Sequence, residues 1–278
     1  MNAALCLLTK NPHKIWLDFL ETFSHYAIYV VIDNNSVDYV KQYDGIYNNI
    51  KFIQIDNDLC REHGYTNCNS AVGFPDIIAW DKAMYLFCEL ETRYDQVWFI
   101  EDDVFLHEED VLVRIDRDCQ HSGADLLTSF HELNLNGNIW VGWNHWVNVV
   151  DRIPPPWAHS MVCACRVSKI LLKKIKDYKQ SMGHLFFIEA MFNTIAHQSG
   201  LNIQNPGELT TIHWNTNWDI QAIDKRFLYH PIKCIDDHLY IRGKAFAEEL
   251  VEAPVEENSV ARVVVPSHSD GRCFVPPS

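Results

Sequence analysis

No apolar run in the 278-residue chain approaches the ~20 residues that a membrane-crossing helix needs. The amino-terminal stretch MNAALCLLTKNP is apolar, but it lacks a basic start and ends too soon for a signal peptide, so it reads as a first strand. Basic residues are also scarce, 23 Lys and Arg against 37 Asp and Glu, which gives a net charge of −14. A nucleic-acid binder needs a basic face to neutralise phosphates, so that class of partner is not expected. The acidity is partly local, because residues 248–257 (EELVEAPVEE) carry five acids and no base. Cysteine pairs at zinc-site spacing are missing too. Cys163 and Cys165 form a C-x-C with no second pair, which argues against a structural zinc site. The nine cysteines are odd in number and several sit in apolar segments, so reduced thiols, no disulfide and a cytoplasmic location are expected. No internal repeat is visible.

What the chain does contain is a regular alternation over its first 130 residues. AALCLLT (3–9), AIYVVID (27–33), IKFIQID (50–56), QVWFIED (96–102) and ADLLTSF (124–130) read as strands. Residues 12–26 carry apolar side chains at 15, 16, 19, 20 and 23, a helical period, and residues 75–91 read as a long amphipathic helix with Pro75 at its start. Such alternation implies parallel strands joined by right-handed crossovers. After residue 130 the pattern changes. Residues 131–160, rich in Trp, Asn and Pro, read as irregular chain or short antiparallel strands; 168–178 and 184–201 read as helices, and 226–233 as a late strand or loop. The expected organisation is a ligand-binding half (1–130), a second half of the same domain (131–247), and an acidic, Pro-containing tail or linker (248–278).

Ligands of open α/β sheets bind beyond the carboxyl ends of the strands. Acids gather at those ends here: Asp33 with Asn34 and Asn35 after the second strand, Asp56 and Asp58 after the third, and Glu101, Asp102 and Asp103 after the fourth. One such cluster is ordinary for a strand running into a surface loop. Three suggest a rim that handles a hydroxyl-rich or cation-bound ligand, since Mg²⁺ and Mn²⁺ prefer hard oxygen donors.

The pair VVIDNNS and VWFIEDDVF resembles the nucleotide-sugar-dependent glycosyltransferases of the GT-A fold. The resemblance covers roughly residues 1–130 and departs from the family in reading Glu-Asp-Asp where an Asp-x-Asp element is usual. It implies a Rossmann-related α/β/α sandwich with a mostly parallel central sheet and a small antiparallel extension on the acceptor side. It implies a Mn²⁺ or Mg²⁺ cofactor, a UDP-, GDP- or dTDP-sugar donor, and a glycan or glycoconjugate acceptor. The donor set expected from it is Thr9, Asp33, Asn35, Lys82, Glu101, Asp102 and Asp103. Asp33 would contact the nucleoside, Asp103 the metal, and Glu101 or Asp102 the ribose or sugar.

Two further roles follow from the resemblance. Inverting members carry a catalytic base on a helix well after the acidic element, and Glu189, the only acid in the apolar stretch HLFFIEAMF, is the candidate. A carboxylate in such surroundings should have a raised pKa and be poised to take a proton. A late histidine often completes the metal site, and His230, before Pro231, stands ahead of His213 for it. Six of the nine tryptophans fall after residue 130, and Trp140, Trp143, Trp146 and Trp157 are candidates for covering the apolar faces of an acceptor sugar. Core packing is the competing account of the same residues. A sugar nucleotidyltransferase would need a Gly-rich loop after the first strand, where LLTKNPHK has none. A haloacid-dehalogenase-type phosphatase would need its acids there. A catalytically inactive glycan-binding protein on the same fold remains the non-enzymatic alternative.

Overall fold

Residues AALCLLT form β1 (Ala3–Thr9), and all seven are buried, as a strand covered on both faces requires. The computed structural model describes residues 2–69 and 76–243. The strands that follow are β2 (Ala27–Ile32), β3 (Ile50–Ile53), β4 (Gln96–Glu101), β5 (Leu126–Leu127), β6 (Glu132–Asn134), β7 (Trp157–His159), β8 (Ala164–Ser168) and β9 (Ile203–Gln204). The helices are α1 (Lys14–Leu20), α2 (Tyr39–Tyr43), α3 (Asn57–Glu62), α4 (Ala79–Tyr85), α5 (Glu109–Cys119), α6 (Lys169–Met182), α7 (Ile188–Gln198) and α8 (Ile235–Arg242).

Seven strands form one mostly parallel sheet in the order β3-β2-β1-β4-β8-β5-β9. β1 pairs in parallel with β2 on one side and with β4 on the other. β8 runs antiparallel to both β4 and β5. The chain therefore leaves β1 toward β2 and β3, then returns to place β4 on β1's other flank. This reversal is a topological switch point, and it opens a crevice beyond the carboxyl ends of β1 and β4.

Alternation along the strands sends side chains into two cores. Cys6, Leu8, Val97 and Phe99 meet α4, α6 and α7 through Trp80, Met84, Leu171, Ile175 and Phe192. Leu5, Leu7, Trp98 and Ile100 meet α1 and α5 through Trp16, Leu17, Leu20, Leu112 and Ile115. The result is an α/β/α sandwich. Each fully buried Leu or Phe contributes about 1.5–3 kcal/mol of apolar transfer, so β1 and β4 are held rigidly at the sheet centre.

Residues 131–160 leave the sandwich, and β6 and β7 pair there as a small antiparallel sheet. Several expectations shift in detail. The helix expected over 75–91 is α4 followed by a π-helical turn, Leu86–Leu90. Its start is held by Asp81, whose carboxylate accepts the backbone N–H groups of Ile78 and Cys68. Of the strand expected over 124–130, Leu126 and Leu127 join the sheet. The chain up to Ala245 is one compact unit. The expected tail over 248–278 lies outside the described residues, as does Cys273, and the eight described cysteines are all free thiols. Among the described residues no helix is long and apolar enough to cross a membrane.

Candidate active site

The switch-point crevice is a cleft of about 240 Å³. β1 contributes Leu8, Thr9 and Lys10 to its wall, β2 contributes Asp33, β4 contributes Glu101 to Asp103, and the start of α4 contributes Ile78 to Trp80. Each acid of β4 has a different neighbourhood. Glu101 accepts the indole N–H of Trp80 at 2.6 Å, and its backbone N–H donates to the Cys163 carbonyl at 2.8 Å. Asp102 accepts the Thr9 hydroxyl, while its carbonyl accepts the Trp16 indole N–H at 2.7 Å. Asp103 Oδ1 lies 3.3 Å from His230 Nε2. Burial and the nearby Asp103 charge push Glu101 up, and burial pushes Asp102 up against the lowering effect of its Thr9 bond.

His230 reaches this rim from the far end of the chain. Phe105 and Tyr229 form an antiparallel bridge, and Ile232 N–H donates to the Asp103 carbonyl at 2.7 Å. The His230 ring places Nδ1 2.7 Å from the His213 carbonyl, so Nδ1 carries the proton and Nε2 faces the acids. Burial opposes charge on this imidazole, yet Asp103 and then Glu101 outweigh it and raise its pKa. A ring fixed through Nδ1–H to a carbonyl, with Nε2 among carboxylates, is the arrangement of a metal-ligating histidine. Glu101, Cys163 and His230 each offer a ligand atom within 4.8 Å of the others. The donor set therefore fits a divalent cation. His213 takes part through its carbonyl, and its exposed ring leans on Trp218.

Lys82 is placed differently from expectation. It is fully buried, and its ammonium group donates to the Ile32 carbonyl (3.3 Å), the Asp33 carbonyl (2.5 Å) and Asn35 Oδ1 (3.2 Å). It fastens the end of β2 from behind and does not face the cleft; the lysine on the cleft wall is Lys10. Asn35 spends its amide on the Ile55 carbonyl at 3.0 Å, so it ties β2 to β3. Asp33 keeps a part-exposed carboxylate, raised by burial against the pull of Lys82 and Lys10.

Glu189 occupies the first turn of α7. Burial, with the charge of Glu101 adding to it and that of His230 opposing, pushes its pKa up to about 7. No side-chain hydrogen bond holds it among the described residues, and its carbonyl accepts Ser160 N–H at 3.0 Å, at the junction between β7 and β8. It is therefore a carboxyl group close to the acid–histidine cluster and half ionised near neutral pH.

The four tryptophans separate into two pairs. Trp146 and Trp157 are each 1% exposed and stack on one another inside the core, so core packing accounts for both and they cannot form an open sugar platform. Trp140 is 86% exposed. Trp143 is half-buried and lies flat between His159, with ring centroids 4.3 Å apart, and Phe187 at 5.4 Å. Burial holds His159 down at about 4, despite Glu132 Oε2 lying 3.3 Å from its Nε2, and it also lowers His131 and His145. These imidazoles are neutral at neutral pH.

The sequence reading missed Trp80 and Cys163 as neighbours of Glu101, and Lys10 as a wall residue. Nothing local marks Trp80 or Cys163, since their role depends on α4 and the lead-in to β8 converging on β4. No family model matches the chain, and no curated protein matches it. Among solved structures, the galactosyltransferase LgtC in complex with donor and acceptor sugar analogues matches at 10% identity over 91% of this chain and 97% of that one, with a TM-score of 0.45. A mouse xyloside xylosyltransferase matches at 12% identity over 73% and 84%, with a TM-score of 0.37. A core-mannan synthase from Aspergillus fumigatus in a Mn/GDP form matches at 12% identity over 74% and 70%, with a TM-score of 0.38. These are distant likenesses.

Proposed function

We propose that the chain is a metal-dependent glycosyltransferase, hexosyl or pentosyl, that moves a sugar from a nucleoside-diphosphate donor to a hydroxyl of a glycan or glycoconjugate. The observation that carries this reading is the meeting, at the sheet's switch point, of the β4 acids and Asp33 with His230 and Glu189. Asp33, on the cleft wall, would bind the nucleoside, with Lys82 and Asn35 fixing the strand end behind it. Lys10 would add charge opposite the phosphates. A divalent cation, Mn²⁺ or Mg²⁺, held by Asp103 and His230 with Glu101 beside them, would offset the charge gathering on the leaving diphosphate. Glu189 acts as general base. The acceptor oxygen forms its bond to the anomeric carbon as the carbon–diphosphate bond breaks, and the hydroxyl proton passes to the Glu189 carboxylate. That route inverts the anomeric configuration. Exposed Trp140 would cover the acceptor's apolar face, Trp143, stacked between His159 and Phe187, would offer only its edge, and the neutral histidines nearby can both give and take hydrogen bonds with the acceptor's hydroxyls.

Thermal-shift titration with UDP-, GDP- and dTDP-sugars, with and without Mn²⁺, tests the donor site. At 100 times its dissociation constant a nucleotide should add about 2.7 kcal/mol of stability. Asp103→Asn should abolish the metal-dependent part and leave the protein folded. A variant that binds donor and metal as the parent does would move the site elsewhere. Release of pyrophosphate rather than of nucleoside diphosphate would mark a nucleotidyltransferase, and donor binding with neither transfer nor hydrolysis an inactive binder.

A further inference from the structure

We propose that Cys163 completes a second ligand set beside the cleft, with Glu101 and His230, which takes a thiophilic cation of the Zn²⁺ class in the absence of nucleotide. The inference rests on the functional reading above only for its consequence, namely that such a cation competes with the donor.

Most described cysteines are core residues facing apolar neighbours, and Cys88 donates to the Leu172 carbonyl. Cys163 differs. It is a core residue too, but it lies at the entry to β8 directly across from Glu101, whose backbone N–H donates to its carbonyl at 2.8 Å. Its sulfur, a Glu101 oxygen and a His230 nitrogen lie within 4.8 Å of one another. Asp103 touches this trio through His230 alone, its Oδ1 3.3 Å from Nε2. Zn–S and Zn–N bonds of about 2.3 and 2.0 Å put the donors of a tetrahedral site ~3.5 Å apart, so small side-chain shifts bring these three donors onto one cation. One sulfur, one imidazole and one carboxylate suit Zn²⁺ and Co²⁺, whereas Mn²⁺ and Mg²⁺ favour oxygen donors and leave the thiol aside. On binding, the S–H bond breaks, the metal–sulfur bond forms and the proton leaves to solvent. A cation held this way occupies Glu101 and His230, the groups that the functional reading gives to the donor's own cation, so the two compete.

Co²⁺ titration of the full-length, nucleotide-free protein tests this directly. A thiolate-to-cobalt charge-transfer band should grow in the near ultraviolet, saturate at one equivalent and bleach when Zn²⁺ is added. Cys163→Ser and Cys163→Ala should abolish the band, and Cys165→Ser should retain it. In the parent, Zn²⁺ should weaken Mn²⁺-dependent nucleotide binding at least tenfold, a sensitivity that Cys163→Ser should lose. A folded parent protein with no band overturns the proposal, as does a band that survives in either Cys163 variant. A band without any nucleotide binding would sink the glycosyltransferase reading and leave the thiol site standing; nucleotide binding without a band would do the reverse.

Discussion

Each end of β4 sets a carboxylate against a tryptophan indole N–H, and the two ends treat the charge in opposite ways. Near the start of the strand Asp116, on α5, accepts from Trp98 at 3.2 Å, from the Tyr26 hydroxyl at 2.6 Å and from the Arg166 guanidinium at 2.7 Å. Arg166 is 2% exposed, so this is a paired and bonded interior charge. At the strand's other end Glu101 accepts from Trp80 and has Asp102 and Asp103 beside it, with Glu189 close enough to feel its charge. His230 stands among them, its Nε2 3.3 Å from Asp103 Oδ1. Size does not separate the two ends, because the hollow lined by Arg166 and Asp125 is larger, about 360 Å³ against about 240 Å³. Compensation does. The first end is complete without a ligand, and the second carries negative charge that a cation would relieve.

Breaking the paired end should have the largest effect. Asp116→Asn strands Arg166 in the interior, and removing one partner of a buried pair costs about 3–5 kcal/mol. Denaturant unfolding should show that loss, with metal-dependent nucleotide binding intact in whatever fraction stays folded. An unchanged midpoint would mean that the pair contributes little.

Next in size is Glu189→Gln, which should lower turnover ~10²–10⁴-fold, the usual worth of a general base, while nucleotide affinity stays level. Parent activity should fall as pH drops through about 7, where Glu189 protonates. Stability should move the other way. A carboxyl group raised from an ordinary 4.5 to about 7 on folding stabilises the fold fully below the lower value and loses that contribution as pH rises through the upper one. The parent should therefore lose stability between those pH values more steeply than Glu189→Gln does. Parallel stability curves, or parent-level transfer by the variant, would remove Glu189 from the mechanism.

The smallest effect sharpens the contrast. Glu101→Gln can still accept the Trp80 N–H but removes one of the crowded charges, so the apo protein should gain stability by ~0.5–2 kcal/mol, the range commonly recovered when a functional compromise is relieved. Its Mn²⁺-dependent nucleotide binding should weaken. A loss of stability would show that Glu101, like Asp116, is a structural partner.

The same contrast explains what the sequence revealed. β1, β2 and β4 are covered on both faces and read as apolar runs, and the acids at the ends of β2 and β4 are visible because strand ends are where the pattern breaks. β8 is as buried as β1, yet Arg166 interrupts its apolar run, and only Asp116, 50 residues earlier, neutralises that arginine in the fold. Lys82 shows the limit of that pattern, because it lies on the inner face of α4 and its three oxygen partners come from the end of β2, a placement that no local sequence signal marks. Trp146 and Trp157 share a composition with Trp140 but not an environment, and nothing in WVGWNHW distinguishes a core ring from an exposed one.

The antiparallel course of β8 also bears on how the chain is made. Ile100 of β4 pairs with Ala164, which is 64 residues further along. At translation rates of about 5–20 residues per second, β4 would wait ~3–13 s for the strand that covers its open edge. During that interval the nascent chain presents the unpaired edge of QVWFIE, buried and apolar in the finished fold, to whatever is nearby. The acids at its tip place charge beside that edge, and charged residues at an edge discourage pairing with another strand.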